Sequence, residues 1–127
     1  MSLRSPLGRA RGMGSAKDGM THFWAQRLTA VALVPITFWF CFSLVALAGA
    51  DYAHFRAWLS MPGNTTLMLI TIFITFHHAQ LGMSVVLEDY VHDKGLLLIS
   101  RTGVKFAAWL FGIFCAVSVL HVAFVGG

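Results

Sequence analysis

Two adjacent histidines, His77 and His78, stand in a stretch that is otherwise almost entirely apolar, and Glu88, Asp89 and Tyr90 close that stretch. A neutral imidazole can give a lone pair to a metal. A phenol with a carboxylate and a guanidinium nearby can hydrogen-bond a quinone carbonyl and pass it a proton as charge develops on reduction. Arg27 precedes the first apolar run and can supply the guanidinium, although an ordinary basic anchor at a membrane surface has the same residue type and place.

The spacing sorts these groups by face. At 100° per residue, His78, Gly82, Val85 and Asp89 share one side of a helix, and His77, Leu81, Ser84 and Glu88 share the neighbouring one. One histidine at most points squarely at a given partner. Gly82, a turn from His78, removes side-chain bulk as a flat metallated macrocycle beside the helix would require, so His78 is the better ligand candidate. The competing reading has both histidines neutral and hydrogen-bonded across helices. Two axial imidazoles would need a second histidine at the same depth. The others, His22, His54, His92 and His121, all fall near expected helix ends, so that ligand would come from another chain. Two acids at a helix C-terminus oppose the macrodipole. Glu88 reads as the helix leaving lipid; Asp89 and Tyr90 are the candidates for chemistry.

The elements that position these groups follow from composition. Of 127 residues, 57% are hydrophobic and 11% charged, about half the charge that a soluble domain carries. The first run without a charge, 28–49, holds about 22 residues, enough at ~1.5 Å per residue to cross a ~30 Å hydrocarbon core. The fold class is therefore all-α and integral to a membrane, with three spans at about 26–49, 65–90 and 104–125. Residues 1–20 read as a basic irregular segment ahead of a three-helix anchor domain, 21–127. Pro35 should kink the first span, 50–64 reads as a loop, and a second short loop carries His92 to Arg101. With Tyr90 near the interface, His78 lies about 18 Å along the helix, close to mid-membrane.

Charge placement sets topology. Arg4, Arg9, Arg11, Lys17 and Arg27 precede the first span, Arg56 lies in the first loop, and Lys94, Arg101 and Lys105 surround the second. The positive-inside rule puts the N-terminus and second loop in the cytoplasm and the C-terminus in the periplasm. The net charge of +4 is thus spread over flanks, which speaks for lipid and against nucleic acid. An Arg-rich, acid-poor start would also suit a mitochondrial transit peptide, but Pro6 and the glycines spoil its amphipathic helix. Cys41 and Cys115 lack metal or disulfide spacing and read as small buried hydrophobes.

The run His78-Ala-Gln-Leu-Gly82-Met-Ser-Val-Val-Leu-Glu-Asp89-Tyr90 resembles the signature of the hydrophobic membrane-anchor (D-type) subunits of succinate dehydrogenase, respiratory complex II. Ser5-Pro6-Leu7-Gly8-Arg9, Gly14-Ser15-Ala16-Lys17 and Trp24-Ala25-Gln26-Arg27-Leu28-Thr29-Ala30 are similar to that family's entry into its first helix. The resemblance implies that His78 is one axial ligand of haem b and that a C-type cytochrome b anchor subunit supplies the second. It implies that Tyr90 hydrogen-bonds ubiquinone with Asp89 beside it, and that Arg27 lies near the haem propionates and the quinone. It further implies electron transport linked to the tricarboxylic acid cycle at a bacterial inner membrane. The FAD and iron–sulfur clusters would belong to partner flavoprotein and iron–sulfur subunits, because this chain lacks a dinucleotide-binding glycine pattern and a cysteine cluster; it is no catalyst alone. The alternative is a non-haem accessory helical subunit of another respiratory membrane complex. A transporter using the histidines and acids as a relay is disfavoured, because span two lacks ionisable groups in its outer half.

Overall fold

The computed structural model describes residues 6–7 and 16–125, and among them there are helices but no strands. Four helices follow in order: α1 (Ala16–Ala46), α2 (Tyr52–Leu59), α3 (Pro62–Tyr90) and α4 (Lys94–Phe124). Three of them, α1, α3 and α4, are long and apolar enough to cross a bilayer. The three-span expectation holds.

The boundaries differ from those expected, for local reasons. Helix α1 begins at Ala16 rather than near residue 26. The last residues of the segment expected to be irregular, 16–20, are therefore helical, and the part of it around residues 8–15 lies outside the described residues. Gly19 lowers helix propensity by only about 1 kcal/mol, a cost the surrounding helix can absorb. The helix also continues through Pro35 to Ala46, although proline has no N–H for the Val31 carbonyl. The 50–64 loop contains α2, started by Asp51, whose carboxylate accepts from the His54 N–H at 2.8 Å. Asp93 caps α4 in the same way, accepting from Leu96 N–H at 2.7 Å. This cap starts α4 ten residues before the expected span, leaving 91–93 to connect α3 and α4.

Helix α3 is the middle of the molecule. It packs against α1 on one side and α4 on the other, while α1 and α4 do not pack on each other. Gly112 of α4 lets Phe76 of α3 approach, since an added Cβ would lie 3.6 Å from the Phe76 ring. The result is a layer of three helices with two broad apolar faces. Its fully enclosed part is small, consisting of Leu59, Leu81 and Ala123 with the polar Thr65 and Ser84. Exposed Phe38, Phe42, Leu98, Phe106 and Phe114 cover the faces, as suits a protein whose solvent or partners are apolar.

One end of the layer is tied together. The stacked rings of Trp39 and Trp58, 6.0 Å apart, join α2 to α1. Ser60 Oγ lies 2.8 Å from both the Arg56 and Ala123 carbonyls, Asn64 donates to the Trp58 carbonyl at 2.9 Å and Thr65 donates to the Leu59 carbonyl. Cys41 is exposed and Cys115 half-buried, and both are free thiols. The expectation that both are buried fails for Cys41, because exposure to hydrocarbon costs a small apolar thiol little.

Candidate functional site

The two neighbouring histidines face different helices. His78, half-buried, turns toward α1, where its Nδ1 lies 2.9 Å from Thr29 Oγ1. His77 turns toward the groove between α3 and α4, lined by Phe73, Phe76, Trp109 and Gly112, and lies parallel to the Phe73 ring at 6.0 Å. That groove holds about 150 Å³, below the ~300–1,000 Å³ usual for a small-molecule site. The 100° rotation between consecutive helical residues produces this separation.

His78 has the donor arrangement of a single axial ligand. Its Nδ1 is engaged by Thr29, whereas among the described residues Nε2 has no hydrogen-bond partner. A metal-bound imidazole is normally held through its other nitrogen in this way. The described residues contain no group of three or more His, Cys, Asp or Glu side chains able to hold a metal. Any iron at Nε2 would therefore draw its remaining ligands from a macrocycle and from another chain. The residues present fit one half of a haem site.

Gly82 plays a different part from the one its spacing suggested. The space beside it is taken by Gln26 of α1, whose Nε2 would lie 3.5 Å from a Cβ added at Gly82. Without a Cβ, Gly82 leaves room on this face that the Gln26 amide approaches. Around it runs a polar stripe that inspection of the sequence did not single out: His22, Gln26 and Thr29, at i, i+4 and i+7, fall on one side of α1. Those offsets in a helix otherwise rich in apolar residues were the available signal. His22 Nε2 and Gln26 Oε1 are enclosed and have no hydrogen-bond partner, and an unpaired polar atom away from water calls for a water, ion or ligand.

Arg27 lies off that stripe and is exposed, its guanidinium 5.2 Å from the centre of the Phe23 ring. Helices α1 and α3 are antiparallel, with Gln26 beside Gly82 and Thr29 beside His78. In that register Tyr90 is level with residues 17–18, so Arg27 sits about 14 Å further along the axis. The expectation that Arg27 supplies the guanidinium beside Asp89 and Tyr90 is corrected by this register. It took the start of the apolar run as the start of the helix, and α1 begins more than two turns earlier.

Asp89 and Tyr90 occupy the last turn of α3, and both are exposed, Tyr90 at 78%. Neither has a side-chain partner among the described residues. Glu88 differs, because its carboxylate meets Arg101 of α4 at 2.9 Å. That ion pair accounts for an acid at this C-terminus, where the helix dipole disfavours it. Beside it, Lys94, Arg101 and Lys105 line a cleft with Gln80 and the buried Ser84. Basic groups therefore gather at the same end of the layer as the free phenol and carboxylate.

Comparison with known proteins gives consistent results. Residues 1–120 match the family described as succinate dehydrogenase/fumarate reductase transmembrane subunit. The chain is similar to the succinate dehydrogenase hydrophobic membrane anchor subunit of Rickettsia bellii, 33% identical over 125 residues, covering 98% of this chain and 97% of that one. It is also similar to the corresponding subunit of Paracoccus denitrificans, 24% identical over 97% of this chain and 88% of that one. A third relative is the succinate dehydrogenase membrane anchor subunit of Reclinomonas americana, 31% identical over 66% of this chain and 72% of that one. No solved structure matches the chain significantly.

Proposed function

The chain belongs to the succinate dehydrogenase/fumarate reductase transmembrane-subunit family, and on that premise we propose that it anchors a succinate:ubiquinone oxidoreductase and supplies half of a haem b site and part of a ubiquinone site. The observation that carries the cofactor part is the orientation of His78, with Nδ1 tied to Thr29 and no partner for Nε2 among the described residues. A C-type anchor subunit would supply the second imidazole. A bound haem b supplies a one-electron store between the iron–sulfur clusters and the quinone.

The chain's own residues bind, orient and move protons. When haem is bound, His78 would hold its iron through Nε2. Tyr90 donates its phenolic O–H to a ubiquinone carbonyl, and Asp89, exposed beside it, takes up a proton from water and passes it on as that oxygen is reduced. The exposure of both side chains supports this reading, because a quinone arriving from the bilayer has to reach them at the end of a span. Arg27 lies nearer His78 than Tyr90 along the axis, so its cation serves a haem propionate better than the quinone head. The cleft with Lys94, Arg101 and Lys105 lies where the flavoprotein and iron–sulfur subunits dock, on the cytoplasmic side of a bacterial inner membrane.

The test is purification from membranes in mild detergent, followed by reduced-minus-oxidised spectra of His78→Ala and His77→Ala. The expected result is co-purifying flavin and iron–sulfur subunits, with the b-type bands lost in His78→Ala and retained in His77→Ala. Absent b-type bands in the unaltered complex would remove the haem assignment. Failure to recover either soluble subunit would favour an accessory role in another complex.

A further inference from the structure

The hydrogen bond across the α1–α3 seam constrains which nitrogen of His78 carries its proton. Thr29 Oγ1 lies 2.7 Å from the Ala25 carbonyl oxygen and 3.0 Å from that of Gln26, in addition to its 2.9 Å approach to His78 Nδ1. A hydroxyl has one proton and two lone pairs, whereas a carbonyl oxygen accepts only. If Thr29 gave its proton to Nδ1, its oxygen would face two carbonyl oxygens with nothing between them but lone pairs. If it gives the proton to its own helix backbone, as threonine often does at i−4, both short approaches become favourable. A lone pair then remains for an N–H at Nδ1.

We infer that Thr29 is a positioning residue that accepts the Nδ1–H of His78, fixing the ring and the tautomer that keeps the Nε2 lone pair free for iron. This inference rests on the reading of His78 as an axial ligand. Three links support it: Thr29 sits one turn above Gln26 on the stripe facing α3, it is half-buried, and its bond is made before any cofactor is considered. Without the bond the imidazole is free to rotate about its side-chain torsions and to exchange tautomers, and one of the two tautomers has no lone pair at Nε2. With the bond, the ring waits in the ligating form. Accepting the Nδ1–H also makes Nε2 a stronger donor, and stronger donation favours ferric over ferrous iron.

Two variants in the intact detergent-purified complex separate positioning from packing. Thr29→Val keeps the shape and removes the hydroxyl; Thr29→Ser keeps the hydroxyl and loses a methyl group. The readouts are haem retained per flavin after repeated dilution, the electron paramagnetic resonance spectrum of the ferric haem, and its midpoint potential. The expected result for Thr29→Val is about tenfold weaker haem retention, the low end of losses of an outer-shell partner, with an altered ferric spectrum and a higher potential. Thr29→Ser should restore all three. A Thr29→Val complex indistinguishable from the unaltered one overturns the inference while leaving His78 as a ligand. Equal losses in Thr29→Val and Thr29→Ser overturn it in favour of packing. Retention of haem in His78→Ala, or an unaltered complex without haem, overturns the ligand assignment and this inference with it.

Discussion

The two seams that α3 makes with its neighbours are built from different chemistry. Toward α1 it presents His78 and Gly82 to Thr29 and Gln26, with His22 on the same stripe. Toward α4 it presents Phe73, Phe76 and His77 to Trp109 and Gly112, with the Glu88–Arg101 pair at one end. The first seam leaves polar atoms unsatisfied and the second leaves almost none. Unpaired polar atoms in hydrocarbon are costly and tend to mark function. The α3–α4 seam is thus mainly apolar packing, whereas the α1–α3 seam carries the polar groups on which the proposed cofactor role rests.

Perturbations of each seam should have different consequences. The largest effect is expected at the open end of α3. Tyr90→Phe removes the phenolic donor and should lower succinate:ubiquinone reductase activity about tenfold, the value of one hydrogen bond made chiefly as charge develops. Succinate oxidation with a water-soluble acceptor should be unchanged, because the flavoprotein is untouched. Next comes Gly112→Leu. A branched side chain against Phe76 should destabilise the complex by about 1–3 kcal/mol, read as a lower thermal midpoint in detergent. Gly82→Ala, at an ordinary contact distance from a flexible glutamine, should leave the same midpoint unchanged or raise it, since alanine favours a helix interior over glycine by up to about 1 kcal/mol. The smallest effect is expected from Glu88→Gln. The pair with Arg101 is 44% exposed on each side, so a double-mutant cycle should return only about 0.2–1 kcal/mol. Equal thermal losses from Gly112→Leu and Gly82→Ala would erase the distinction between the seams.

The extent to which this was legible beforehand differs by feature. Hydrophobic length made the three spans plain, and the angle between consecutive residues separated His77 from His78. The helix starts were obscured because their causes are single side chains. Asp51 and Asp93 act as caps only when their carboxylates meet N–H groups three residues on, and an aspartate in a polar stretch looks the same either way. The start of α1 at Ala16 lay hidden behind Gly19, and that error displaced Arg27 to the wrong level. The role of Gly82 was unreadable for another reason. A glycine on a helix face announces room without saying what fills it, and only the register with Gln26 decides.

The same register explains why His22, Gln26 and Thr29 were not read as one polar stripe. Near the end of an apolar run, polar residues look like a helix entering water. Once α1 is seen to extend to Ala16, those residues lie within the helix and against α3, where their polar atoms need partners.

The most direct test of the central claim is an electron cryo-microscopy map of the complex purified from membranes in mild detergent. The expected map has a flat macrocycle with its iron at Nε2 of His78, Thr29 on the opposite edge of the imidazole, and a histidine of another subunit completing the axial pair. A macrocycle at His77 in the α3–α4 groove, or His78 enclosed by lipid with Nε2 facing no cofactor, would contradict it.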